Sequence, residues 1–126
     1  MIMSEKKKKI LVIDDSNTNV VLLEALLISK VFDIETALSV QEAIPIIEKT
    51  PPELILLDLL MPHTSGYQFL EELKKNDRFK RIPVIIVSAV TGKENKMKTM
   101  NLGAIDYIEK PIDIHTLVAK VENALN

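Results

Sequence analysis

Asp14-Asp15 directly follows the apolar run Ile10–Ile13, and Asp58 directly follows a second run, Leu54–Leu57. Short continuous apolar runs suit strands buried on both faces of a sheet. Two such strands ending in acid gather three carboxylates at one sheet edge. Like charges at close range disfavour one another's ionised forms. A hard divalent cation relieves that repulsion, and Mg2+ favours oxygen ligands. Two further runs end in other chemistry: Val84–Val87 in Ser88-Ala89, and Tyr107–Glu109 in Lys110-Pro111. A single Asp in such a place reads as a turn residue or helix cap. Three carboxylates, a hydroxyl and an ammonium on neighbouring strand ends read as a site. A flavin-phosphate loop needs bare N–H groups, whereas two acids there repel phosphate unless a cation intervenes. With the cation, a carboxylate nucleophile is able to form an aspartyl phosphate. The metal and a lysine neutralise its oxygens, and a Ser hydroxyl with the next backbone N–H completes the shell.

Five strand–helix units are expected to carry these groups. Ile34–Ala37 and Tyr107–Glu109 are more polar than the other three strands and are expected at the edges. Val20, Leu23 and Leu27 share one helix face, as do Phe69, Leu70 and Leu73. Ile114, Leu117, Val118, Val121 and Leu125 form the longest apolar stripe. Ser39-Val40-Gln41-Glu42 reads as a capping box. Pro45 should kink the helix that follows, or make it begin near the proline. A weakly apolar helix near Lys93–Met100 is expected to rest mainly on Met97 and Met100, which leaves it either mobile or simply solvated. Alternation of this kind implies a parallel sheet with helices on both faces. Buried strands one, three and four, with edge strands two and five, give the order 2-1-3-4-5 of a doubly wound, flavodoxin-like three-layer sandwich. Ligands of such sheets bind beyond the carboxyl strand ends, near the switch point between strands one and three.

The 126 residues suit a single domain with a real core. The net charge of −2 exerts no general pull on nucleic acid or anionic membrane. The absence of Cys excludes disulfides, thiolate catalysis and Cys-based zinc sites. No apolar run is long enough to span a bilayer, so a cytoplasmic protein is expected. Residues 1–8 read as a basic, partly flexible lead-in, with Lys6–Lys9 solvated.

The ordered set resembles the response-regulator receiver (CheY-like) family over nearly the whole chain. It consists of Asp14-Asp15, then Asp58-Leu59-Leu60-Met61-Pro62 with Gly66, then Ser88-Ala89, then Tyr107-Ile108-Glu109-Lys110-Pro111. The resemblance implies that Asp58 is the phosphoacceptor. Asp15, Asp58 and the Leu60 carbonyl would hold Mg2+ (or Mn2+ in its place), with Asp14 helping through water. Ser88, the Ala89 N–H and Lys110 would bind the phosphoryl oxygens. Ser88 moving toward that charge would vacate space for Tyr107 to turn inward. The Lys110–Pro111 bond would be cis. Implied partners are a histidine kinase or histidine phosphotransfer protein, an effector or output domain at the face of the fourth helix, fifth strand and fifth helix, and a second copy of the chain. No direct nucleic-acid or membrane partner is expected. The function implied is a phosphorylation-gated switch rather than a turnover enzyme.

The alternative is a pseudo-receiver, a docking module of the same fold without phosphorylation control. An Asp-nucleophile phosphatase usually adds a general acid two residues after the nucleophile, where this chain has Leu60. His63 and His115 are poor candidates for a site built of oxygen ligands. Leu60 and Val90 flank the path to the phosphoryl group, and neither side chain is able to hydrogen-bond an attacking water. Slow loss of the phosphoryl group is expected.

Overall fold

The computed structural model describes residues 7–28, 32–61 and 63–126. Most of the basic lead-in, and Pro62 of the motif after Asp58, lie outside the described residues. Strands β1 (Lys8–Ile13), β2 (Phe32–Ala37), β3 (Leu54–Leu57), β4 (Val84–Ser88) and β5 (Asp106–Glu109) alternate with helices α1 (Asn17–Ile28), α2 (Val40–Lys49), α3 (Gly66–Lys75), α4 (Lys93–Asn101) and α5 (Ile114–Leu125). All strand pairs are parallel, in the order β2-β1-β3-β4-β5. The expected doubly wound topology is therefore the one observed.

Strand alternation divides the core in two. Leu11, Ile13, Ile55, Leu57 and Ile86 face the side covered by α2 and α3. Ile10, Val12, Leu54, Leu56, Ile85 and Val87 face α1 and α5. Because β1, β3 and β4 are covered on both faces, every residue from Leu54 to Leu57 and from Val84 to Ser88 is buried. This is why their sequences run without polar interruption.

Several local expectations need correction. Lys9 is not solvated. β1 begins one residue before it, and Lys9 is 8% exposed, with Nζ 2.5 Å from Glu35 Oε1 and 3.0 Å from the Thr50 carbonyl. Pairing of Lys9 with Asp33 draws the lysine into the ladder, and these partners satisfy its ammonium. Helix α2 does not begin near Pro45. It starts at Val40 behind Ser39, whose hydroxyl accepts from the Glu42 N–H, and it continues through the proline. The Glu42 carboxylate reaches back to the Leu38 N–H at 3.4 Å, one residue before the cap. Helix α4 does not rest on its methionines: Met97 and Met100 are 56% and 45% exposed, and its buried residue is Thr99. The Thr99 hydroxyl satisfies itself within the helix on the Lys96 carbonyl, so a small polar residue occupies the inner face. In α5, Leu117 and Val121 are buried while Ile114 is exposed. Ala124 and Leu125 complete the inward face.

Candidate functional site

The register positions the site before any side chain is considered. Ile13 and Leu57 are partners on β1 and β3, so Asp14 and Asp58 leave the sheet at one level. Backbone bonds carry the ladder a step further: the Asp58 N–H donates to the Ile13 carbonyl at 2.9 Å, and the Asp14 N–H to the Ala37 carbonyl at 3.1 Å. Across the sheet Ser88 pairs with Glu109, and the Lys110 N–H donates to the Ser88 carbonyl at 2.9 Å. The Lys110–Pro111 bond is cis.

Asp14 and Asp58 are 2% and 6% exposed, and Asp15 stands at the exposed rim. One carboxylate oxygen from each of the three lies within 4.8 Å of the other two. Lys110 Nζ sits 2.8 Å from Asp14 Oδ2 and 3.9 Å from Asp58 Oδ1. One ammonium therefore serves two buried carboxylates, with a third acid beside them. Burial pushes the Asp58 carboxyl above the usual carboxylate range and Asp14 adds to the rise, while Lys110 and the Leu59 and Leu60 amides pull it back. The Leu59 N–H donates to Asp58 Oδ1 at 2.9 Å. Both Asp14 oxygens are engaged, one by the Ser16 N–H at 2.9 Å and the other by Lys110. An all-oxygen donor set with uncompensated negative charge fits a hard divalent cation. Of the three carboxylates, Asp14 is the one already held on both oxygens.

The raised Asp58 value has a direct consequence for the metal-free protein. An Asp whose folded-state pKa is raised contributes stability that is complete below its unfolded value and is lost as pH rises through the folded one. Asp58→Asn is therefore expected to raise Tm at neutral pH in chelator, with the gain shrinking as pH falls below the carboxylate range. A lower neutral-pH Tm for Asp58→Asn would contradict this electrostatic picture.

Ser88 is fully buried, and its hydroxyl accepts from the Val90 N–H at 3.1 Å. Ala89 follows it at the exposed rim. Tyr107 is 7% exposed and its hydroxyl donates to the Val90 carbonyl. Burial raises the Tyr107 pKa, so the hydroxyl keeps its proton as a donor. The ring is thus already inside while Ser88 remains on the Val90 amide. Among the described residues the group of potential metal ligands is Asp14, Asp15 and Asp58, without His63 or His115.

The structure adds residues whose contribution was missed in the sequence. Gly66, quoted only as part of a motif, lies hard against the Asp58 and Leu59 backbone, and its N–H donates to the Leu59 carbonyl at 2.9 Å. Lys96 bridges to Glu109 at 2.7 Å and lies 5.8 Å from the Tyr107 ring centre. The Tyr67 hydroxyl donates to Asn95 Oδ1 at 3.1 Å. Tyr67 stands next to Gly66 in the sequence, but Asn95 and Lys96 are brought to these partners by the fold alone.

No described helix is long and apolar enough to cross a membrane. Response regulator PleD of Caulobacter vibrioides is 35% identical over 115 residues, covering 91% of this chain but 25% of that protein. The chain thus spans a small part of that relative. Among solved structures, chemotaxis protein CheY4 of Vibrio cholerae superposes with a TM-score of 0.89 at 25% identity, covering 95% of this chain and 100% of that one. The Francisella response regulator 1452 receiver domain gives 0.87 at 29% identity, covering 94% and 97%. Residues 10–122, which carry every strand end described above, match the response regulator receiver domain. On fold, site position and sequence together, the chain belongs to the response regulator receiver family.

Proposed function

We propose that Asp58 accepts a phosphoryl group from a phosphohistidine donor in a Mg2+-dependent reaction, and that this changes the partner-binding face formed by α4, β5 and α5. Receiver domains are signalling domains of two-component systems. The observation that carries the reading is the clustering of Asp14, Asp15 and Asp58 beside the Lys110 ammonium. An Asp58 carboxylate oxygen attacks phosphorus, the donor's P–N bond breaks, and its electron pair leaves with the imidazole, which takes a proton from solvent. Lys110 neutralises phosphoryl oxygens, and Ser88 with the Ala89 N–H offers further hydrogen bonds. Asp15, Asp58 and the Leu60 carbonyl, with Asp14 in support, would hold the cation, which would supply charge neutralisation for the transferring group. A histidine kinase or phosphotransfer protein as donor, and an effector or a second receiver as reader, follow from this chemistry. The reader must prefer one state of the face for phosphorylation to matter.

Incubation with a small acyl phosphate is expected to load one phosphoryl group in Mg2+, and none in chelator or in Asp58→Asn. Equal loading in chelator would refute the reading, and no loading under any condition would leave the fold as a docking module. Leu60 is 61% exposed and Val90 packs against the core. With neither of these side chains able to hydrogen-bond an attacking water, the phospho-form is expected to outlast minutes after donor removal. Loss within seconds would contradict this.

A further inference from the structure

Helix α4 has few anchors for an element next to the proposed readout. Its buried residue is Thr99, and its N-cap, Gly92, provides no side-chain cap. Polar links from neighbouring elements hold it instead. On the β5 side these are Lys96 with Glu109, and Lys96 over Tyr107. On the α3 side the link is Tyr67. Its hydroxyl donates to Asn95 Oδ1 at 3.1 Å, Asn95 Nδ2 donates to the Thr91 carbonyl at 3.0 Å, and Lys98 Nζ lies 4.3 Å from the Tyr67 ring centre. One aromatic side chain thus grips two successive turns of α4 and, through Asn95, the loop before it.

The other end of this link is the phosphoacceptor backbone. Tyr67 follows Gly66, where a Cβ would lie 2.2 Å from the Asp58 carbonyl oxygen and 2.7 Å from Leu59 Cα. With that little clearance, and with Gly66 bonded to Leu59, the start of α3 must follow any displacement of the Asp58–Leu59 backbone. We propose that Tyr67 is a second positioning residue, coupling the Asp58 backbone to α4 from the α3 side, separately from Tyr107 on the β5 side. The coupling extends the phosphoryl-switch reading above, but the latch itself exists in the unmodified protein. Two tethers on opposite sides mean that α4 moves only as the balance between them changes, a two-state element that the site is able to bias.

The test is amide hydrogen exchange across α4 in wild type, Tyr67→Phe, Asn95→Ala and the double variant, all unphosphorylated. Tyr67→Phe keeps the ring and its Lys98 contact and removes only the hydroxyl, so folding is not at stake. Tyr67→Phe should speed α4 exchange about fivefold, the size of one net hydrogen bond, and Asn95→Ala by at least as much, because it also loses the bond to the Thr91 carbonyl. The double variant should exchange little faster than Asn95→Ala alone, because that variant has already removed the partner of the Tyr67 hydroxyl. Asn95→Asp, which keeps an acceptor for Tyr67 but loses the donor to the Thr91 carbonyl, should retain more protection than Asn95→Ala. Unchanged α4 exchange in Tyr67→Phe, or fully additive singles, would overturn the latch. For the coupling, loading with a small acyl phosphate should change α4 exchange less in Tyr67→Phe than in wild type, with Asp58 modified to the same extent. An equal change would overturn it. If wild type accepts no phosphoryl group, the function reading fails, and the Mg2+-induced change in α4 exchange decides the coupling in the same way.

Discussion

Gly66→Ala is expected to destabilise the protein by at least about 3 kcal/mol, the upper range of over-packing costs. The new methyl would stand 2.2 Å from the Asp58 carbonyl oxygen, 2.7 Å from Leu59 Cα and 3.0 Å from the Asp58 carbonyl carbon. All three atoms are backbone, so no side chain is able to rotate away. The helix preference of alanine over glycine returns about 1 kcal/mol at most, too little to offset the clash. Either α3 lifts off the sheet, exposing Phe69, Leu70 and Leu73, or the Asp58–Leu59 segment shifts and carries the carboxylate with it. A Tm drop on the order of 10 °C is expected for a chain of this size, with a parallel loss of Mg2+ affinity. A Tm within a degree or two of wild type in a calorimetric scan would show that the close approach is relieved at little cost.

Lys110→Ala is the second large effect, expected to cost about 3 kcal/mol in metal-free buffer at neutral pH. Asp14 is 2% exposed and its ammonium partner stands 2.8 Å away. Removing one member of a buried pair strands the other's charge, a cost of about 3–5 kcal/mol. The lower end applies because Lys110 keeps some contact with solvent. Two compensations should follow from the cause. Adding Asp14→Asn should restore much of the loss, because the stranded charge is gone. Mg2+ should stabilise Lys110→Ala more than wild type, because the cation takes over the neutralisation. Denaturant melts with and without Mg2+ measure both. A simple packing defect would show neither compensation.

The parts of the fold set by burial pattern were legible. Uninterrupted runs at Ile10–Ile13, Leu54–Leu57 and Val84–Val87 mark strands covered on both faces, and the more polar runs mark edges. The strand order follows from that contrast, and the order delivers Asp14, Asp58, Ser88 and Lys110 to one edge. What depends on single contacts was not legible. Lys9 looks like the end of a solvated run until its pairing with β2 brings Glu35 to its ammonium. Met97 and Met100 look like anchors because they are the apolar residues of α4, yet the helix turns Thr99 inward. The helix expected to kink at Pro45 or to begin near it starts at its Ser39 cap and continues through the proline. The close approach at Gly66 and the Tyr67–Asn95 bond are products of tertiary geometry that no local pattern encodes.

The account rests on Asp58 being the residue that is chemically changed. Borohydride reduces an acyl phosphate to an alcohol and so converts an aspartyl phosphate to homoserine. After loading from a phosphodonor in Mg2+, reduction and peptide mass spectrometry should place homoserine at position 58 and at no other acid. Homoserine at position 14 or 15, or its appearance in protein loaded without a divalent cation, would contradict the account.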